Sequence, residues 1–171
     1  MEIEMIETGY YAKHRGPFSS IIRAIYLLLQ ARIHFPKDHL GEIVDEGEEF
    51  EVFRQMTLDP GDSQPETPGA IFKVRFQFAS MSPEMNIKTS LIPIPFIVAQ
   101  PGFRSKMWAL GRDSGEFQGI YEWDTVASAK AYWTSFPMKL MKRRAVPDSL
   151  SYEIKKVEFD QIKPSHARNL S

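Results

Sequence analysis

The chain has 171 residues, 43% of them hydrophobic, 12% aromatic and 25% charged, which fits one folded domain with an attached segment and excludes wholesale disorder. Its 21 Lys and Arg against 22 Asp and Glu leave a net charge of -1, too little for a global field to draw it onto nucleic acid or an anionic membrane. With no Cys, disulfide frameworks, thiolate nucleophiles and zinc-thiolate sites are excluded.

Acidic Glu2, Glu4 and Glu7 stand where a signal peptide would carry its basic region, so a cytoplasmic location is expected. Pro17, Ser19 and Ser20 mark a helix start, and the spacing predicts a helix from about Pro17 to Ile33. Ile21, Ile25, Leu28, Leu29 and Arg32 share one face, while Ile22, Tyr26 and Ile33 lie opposite. A helix apolar nearly all round implies burial on two sides, against its own domain and against a partner chain or a lipid interface. Arg23 and Arg32 bound an uncharged run of eight residues, Ala24 to Ala31, far short of the roughly 20 that a membrane span requires. "GEIVDEGEEFEVFRQMTL" reads as a hairpin, a short strand and a longer one from Phe50 to Leu58 about a turn at Asp45 to Gly47. "DPGDSQPETPG", Asp59 to Gly69, is a linker, so residues 1–69 form an N-terminal extension.

From Ala70 the pattern is regular. Phe72, Val74, Phe76 and Phe78 alternate with Lys73, Arg75 and Gln77, as a strand buried on one side must. Ser82 and Pro83 begin a helix to about Ser90, and Pro93 and Pro95 force a kink or restart before "FIVAQPG". "FRSKMWAL" sets Arg104, Lys106 and Trp108 against Phe103, Ser105 and Met107, and "GRDSGE" turns into "FQGIYEW". Asp124 is the expected N-cap of a helix from Thr125 to about Phe136, with Val126, Ala129, Trp133 and Phe136 on one face and Pro137 closing or bending it. "MKLMKRRAVP" reads as a solvated helix end and loop, "LSYEIKKVEF" as a last strand, and the residues from Asp160 as an aperiodic tail.

Strand, helix, strand, strand, helix, strand is the ferredoxin-like split β-α-β order, an α+β fold with both helices on one face of an antiparallel sheet. If the helices take the more apolar set, the bare face carries Lys73, Arg75, Gln77, Arg104, Lys106, Trp108, Gln118, Ile120, Glu122, Glu153 and Lys155.

Pro101-Gly102-Phe103, Lys106-Met107-Trp108, the run from Gly119 to Asp124, Ala129 and Tyr132 together resemble the dimeric α/β-barrel superfamily, in particular its small monooxygenase-like members, over about residues 70–159. The resemblance implies a homodimer with sheets stacked face to face and a pocket in each protomer between sheet and helices. It further implies a range of functions from cofactor-independent oxygenases and haem-degrading enzymes to proteins without known activity. The Pro93-x-Pro95 break and the N-terminal 69 residues depart from the family pattern.

Phe117, Gly119, Tyr121 and Trp123 share one strand face, to be covered by Trp133 and Phe136. Such a cluster reads either as core or as a pocket wall. Gly119 keeps the pocket reading open, because its missing side chain leaves space for a ligand or a neighbouring ring. On that reading Trp108, Gly119, Tyr121, Trp123 and Trp133 bind a small aromatic substrate. Lys73, Arg75, Arg104 and Lys106 read either as a grip for an anion or as cross-strand partners of Glu122 and Glu153. His14, His34, His39 and His166 show no metal-ligand spacing, so neither a metal nor haem ligation is expected, and no nucleotide, nucleophile-elbow or RNA-binding motif is present.

The function expected is thus a cofactor-independent, monooxygenase-like enzyme for an aromatic or polyketide-like molecule, with Arg104 or Lys106 stabilising an enolate or phenolate. The alternatives are a non-catalytic ligand-binding or dimerisation module, and membrane-surface contact through Pro17 to Ile33.

Overall fold

The computed structural model describes residues 16–45 and 47–158. His14, His166 and the tail from Asp160 lie outside them. In chain order the elements are α1 (Pro17–Leu29), β1 (Ile33–His34), β2 (Ile43–Asp45), β3 (Glu49–Leu58), β4 (Ala70–Phe76), α2 (Pro83–Thr89), α3 (Ile94–Val98), β5 (Phe103–Gly111), β6 (Phe117–Trp123), α4 (Val126–Trp133), α5 (Phe136–Arg144) and β7 (Ser151–Lys156).

All pairings are antiparallel, in the order β1-β3-β5-β6-β4-β7, with β2 also on β3. The four strands β7-β4-β6-β5, with helical segments between β4 and β5 and between β6 and β7, make the expected ferredoxin-like unit. The N-terminal hairpin joins this sheet directly, since β3 pairs with β5 along nearly its whole length.

Ala70, Phe72 and Val74 of β4 stand opposite Trp123, Tyr121 and Gly119 of β6, and all point to the helices, as alternation requires. There they pack on Ile97 of α3 and on Ala129 and Tyr132 of α4. A smaller cluster, Phe50, Val52 and Ala109, occupies the other face, with the Arg75 guanidinium 4.6 Å from the Phe50 ring centre.

Four local expectations change. Helix α1 ends at Leu29, four residues early, because Ala31 takes a left-handed φ of 52° and turns the chain so that Ile33 enters β1. Its own domain buries the side of Ser20, Ala24 and Leu27, and the side of Phe18, Ile25, Leu28 and Leu29 faces outwards, as a helix with a second contact surface would. Thr125, not Asp124, caps α4, its hydroxyl accepting from the Ser128 amide at 3.0 Å. The face of α4 that meets the sheet is Ser128, Ala129 and Tyr132, leaving Trp133 at its margin. Finally, Pro137 opens α5 instead of closing α4, because a first-turn Pro loses no helical hydrogen bond. The basic stretch from Met138 is therefore mostly helix. Ser82 caps α2 as expected, accepting from the Met85 amide at 3.3 Å, and α3 is the restart imposed by Pro93 and Pro95.

Candidate active site

β5 decides the site. Phe103 faces Trp123 and Ser105 faces Glu122, so one extra residue, Arg104, is accommodated in a β-bulge. Beyond the bulge the phase is reversed: Lys106 stands opposite Tyr121 and Trp108 opposite Gly119, both on the helix side together with Phe103. The sequence expectation that Lys106 and Trp108 lie on the bare face is thus overturned, because an inserted residue lets two odd-even sets share one face. A second irregularity, between Val52 and Arg54 of β3, brings Arg54 opposite Trp108 and onto the same side.

Between this side of the sheet and α2 to α5 lies a largely apolar cavity of about 120 Å³. Lys106, Trp108, Gly119 and Tyr121 line its sheet wall. Asn86 and Ser90 come from α2 and its C-cap, Phe96 from α3, Tyr132 from α4, and Met138 and Arg144 from α5. Among the described residues no carboxylate lines it.

Lys106 is 6% exposed, its Nζ 4.2 Å from the Trp108 ring centre and 4.4 Å from that of Tyr121. Burial, and secondarily the nearby Arg54 charge, hold its ammonium well below the usual lysine range. Arg54 is fixed by donating to the Ser90 hydroxyl, which itself donates to the Ile87 carbonyl at 2.8 Å. The Tyr132 hydroxyl donates to that of Tyr121 over a long 3.4 Å. Burial pushes both phenols up, so each stays protonated across the neutral range.

Gly119 has a specific task. A Cβ there would meet Cε2 of Tyr121 at 2.7 Å, so the space left by the missing side chain is taken by the Tyr121 ring. Of the two occupants the sequence allows, the neighbouring ring is the one found.

Three expected site residues stand elsewhere. Arg104, directed outwards by the bulge, bonds Asp124 through Nε at 2.5 Å and the Glu66 carbonyl through Nη1 at 3.1 Å. Asp124 also accepts from Gln64 at 2.7 Å, so this nearly buried pair clamps the 59–69 linker to the sheet. Trp123 is fully buried between Phe103 and Tyr132 as core, and its indole N–H finds no partner among the described residues. Trp133 stacks on Tyr152 of β7 at 3.9 Å and holds Lys142 over its face at 3.4 Å, away from the cavity. The four cations therefore do not form one grip. Lys73 and Arg75 line a shallow polar depression on the other face with Gln118 and Glu153, Arg104 is a clamp, and Lys106 enters the cavity.

Arg54, Asn86 and the α5 residues Met138 and Arg144 are not among the candidates that the sequence offers, and Tyr132 enters there only through the resemblance. The two described histidines lie at the surface, His34 bonding Asp59 and His39 bonding Glu42, each at 2.8 Å. Among the described residues no three His, Asp or Glu converge as metal ligands, and no helix is long and apolar enough to cross a membrane.

No protein-family model and no curated protein matches the sequence. Solved structures do. An uncharacterized ferredoxin fold protein related to antibiotic biosynthesis monooxygenases, from Listeria monocytogenes, matches at TM-score 0.51 and 12% identity, over 68% of this chain and 69% of its own. A heme-degrading enzyme from Listeria monocytogenes matches at 0.49 and 13%, over 65% and 72%, and a monooxygenase-like protein from Listeria innocua at 0.47 and 13%, over 64% of both chains. At such identities the likeness bears on architecture alone. The chain thus has the ferredoxin-like α+β fold that its order of elements and its resemblance both implied.

Proposed function

We propose that the protein is a monooxygenase-like enzyme whose substrate is a small, flat aromatic or polyketide-like molecule held in the cavity between sheet and helices. The observation that carries this reading is Lys106, an amine buried against aromatic rings with, among the described residues, no carboxylate in the cavity wall. A group so expensive to bury is placed where negative charge develops. Trp108 and Tyr121 orient the substrate ring, and Lys106 stabilises the enolate or phenolate that forms on its oxygen. That electron-rich anion reduces dioxygen directly, with neither metal nor flavin. Overall a CH2 group and one O2 give a carbonyl and one water. Arg104 has no part in the chemistry, being engaged by Asp124 and Glu66. One solved structure with this fold is described as related to antibiotic biosynthesis monooxygenases.

The test is dioxygen uptake with a panel of flat phenols and enolisable polycyclic ketones. Turnover that falls at least tenfold in K106M supports the proposal. Binding without turnover across the panel favours the non-catalytic ligand-binding module, and K106M turnover equal to wild type sinks the assigned role.

A further inference from the structure

The charges around the cavity are one-sided. Lys106 is faced by Tyr121 from β6, Tyr132 from α4 and Arg54 from β3, with Arg144 of α5 also in the cavity wall. From α2 and its C-cap come only the neutral polar groups Asn86, Thr89 and Ser90, and α3 adds apolar side chains. A buried ammonium with no carboxylate among the described residues around it is costly, and the site relieves that cost either by losing a proton or by gaining an anion. A weakly acidic O–H ligand does both at once.

We infer that the cavity takes phenols and enols, and binds them as oxyanions whose proton has passed to Nζ of Lys106. The inference rests on the cavity being the substrate site proposed above, and names its substrate class. The ligand O–H bond breaks, an N–H bond forms on Lys106, and the electron pair stays on the ligand oxygen. Nothing is oxidised or reduced in this step. The new ammonium sits against the ring faces of Trp108 and Tyr121, where a cation is favoured. Tyr121 accepts from Tyr132 and so keeps its own proton to donate to the oxyanion. The apolar rings suit a phenolate, whose charge spreads over a flat π-system, better than a carboxylate, whose charge is confined to two oxygens.

The probe is 4-nitrophenol, coloured only as its anion, titrated with pH in the presence of excess full-length protein. Bound probe is expected to ionise about one pH unit or more below free probe, a tenfold shift. In K106M the shift disappears, with melting curves checking that the variant is folded and K106Q replacing K106M should that fail. 4-Nitroanisole, which has no proton to give, competes for the cavity and shows whether it binds at all. No lowering of the bound probe's ionisation while 4-nitroanisole still competes overturns this inference and leaves the substrate-site reading standing. Binding of neither overturns both. A shift that survives K106M, or tighter binding of 4-nitrobenzoate than of 4-nitrophenol, also overturns the inference.

Discussion

Replacing Arg104 by Met separates the two roles open to this residue. In the structure its Nε lies 2.5 Å from Asp124 and its Nη1 3.1 Å from the Glu66 carbonyl, with the ion-pair side chains only 10% and 13% exposed. Methionine fills much of the volume but leaves the Asp124 carboxylate nearly buried, with the Gln64 amide as its remaining side-chain partner. Removing one member of a buried pair costs about 3–5 kcal/mol, a large share of a domain's total of about 5–15 kcal/mol. At about 2–4 °C per kcal/mol for a chain of this length, R104M is expected to melt roughly 6–20 °C below wild type. Because the pair also ties down Gln64 and Glu66, limited proteolysis of the folded variant is expected to cut faster within 59–69. Differential scanning calorimetry measures the first effect and timed digestion with mass spectrometry the second. As a control, R112A breaks two exposed pairs, to Glu49 and Glu51, and is expected to move the melt little. An R104M protein that melts with wild type but loses ligand binding would refute the reasoning and return Arg104 to the site.

G119A is expected to destabilise by about 1–2 kcal/mol, the overpacking cost against Tyr121 less the backbone entropy that Ala saves, and to weaken 4-nitroanisole binding. A variant as stable as wild type shows that the Tyr121 ring moves freely. Because the folded pKa of Lys106 is depressed below its unfolded value, the unfolded chain binds the extra proton between the two values, and stability rises with pH through that window. Wild type should therefore gain stability relative to K106M as pH rises towards the ordinary lysine range, as read from urea unfolding at each pH. Sedimentation velocity is expected to find a homodimer that the charge reversal K73E, on the outer sheet face, shifts towards monomer. An unaltered dimer places the contact elsewhere, the exposed Ile25 and Leu29 of α1 being the next candidates.

The fold was legible wherever a local rule had no competitor. Strict alternation in β4 fixed its buried face, Ser82 and Pro83 fixed the start of α2, and the two prolines after it fixed the break before α3. The site was legible in part. Lys106, Trp108, Gly119 and Tyr121 do meet at one cavity, but the sequence set two of them on the wrong face and added Arg104, Trp123 and Trp133 to it. Arg54 and Asn86 went unread because a lone cation in a strand and a lone amide in a short helix carry no period of their own.

Sequence alone therefore determined the order of elements and the apolar face of each unbulged strand, since alternation and capping are encoded within a few residues. Only the tertiary structure decided which cation would enter the cavity. The bulge at Arg104 is a property of β5 paired against β6 and does not exist in either strand by itself. That single inserted residue turns Arg104 towards the linker and Lys106 towards the cavity. The packing of α4 likewise chose Tyr132 over Trp133, because a helix rotates to the face whose shape fits its sheet, whichever ring is larger.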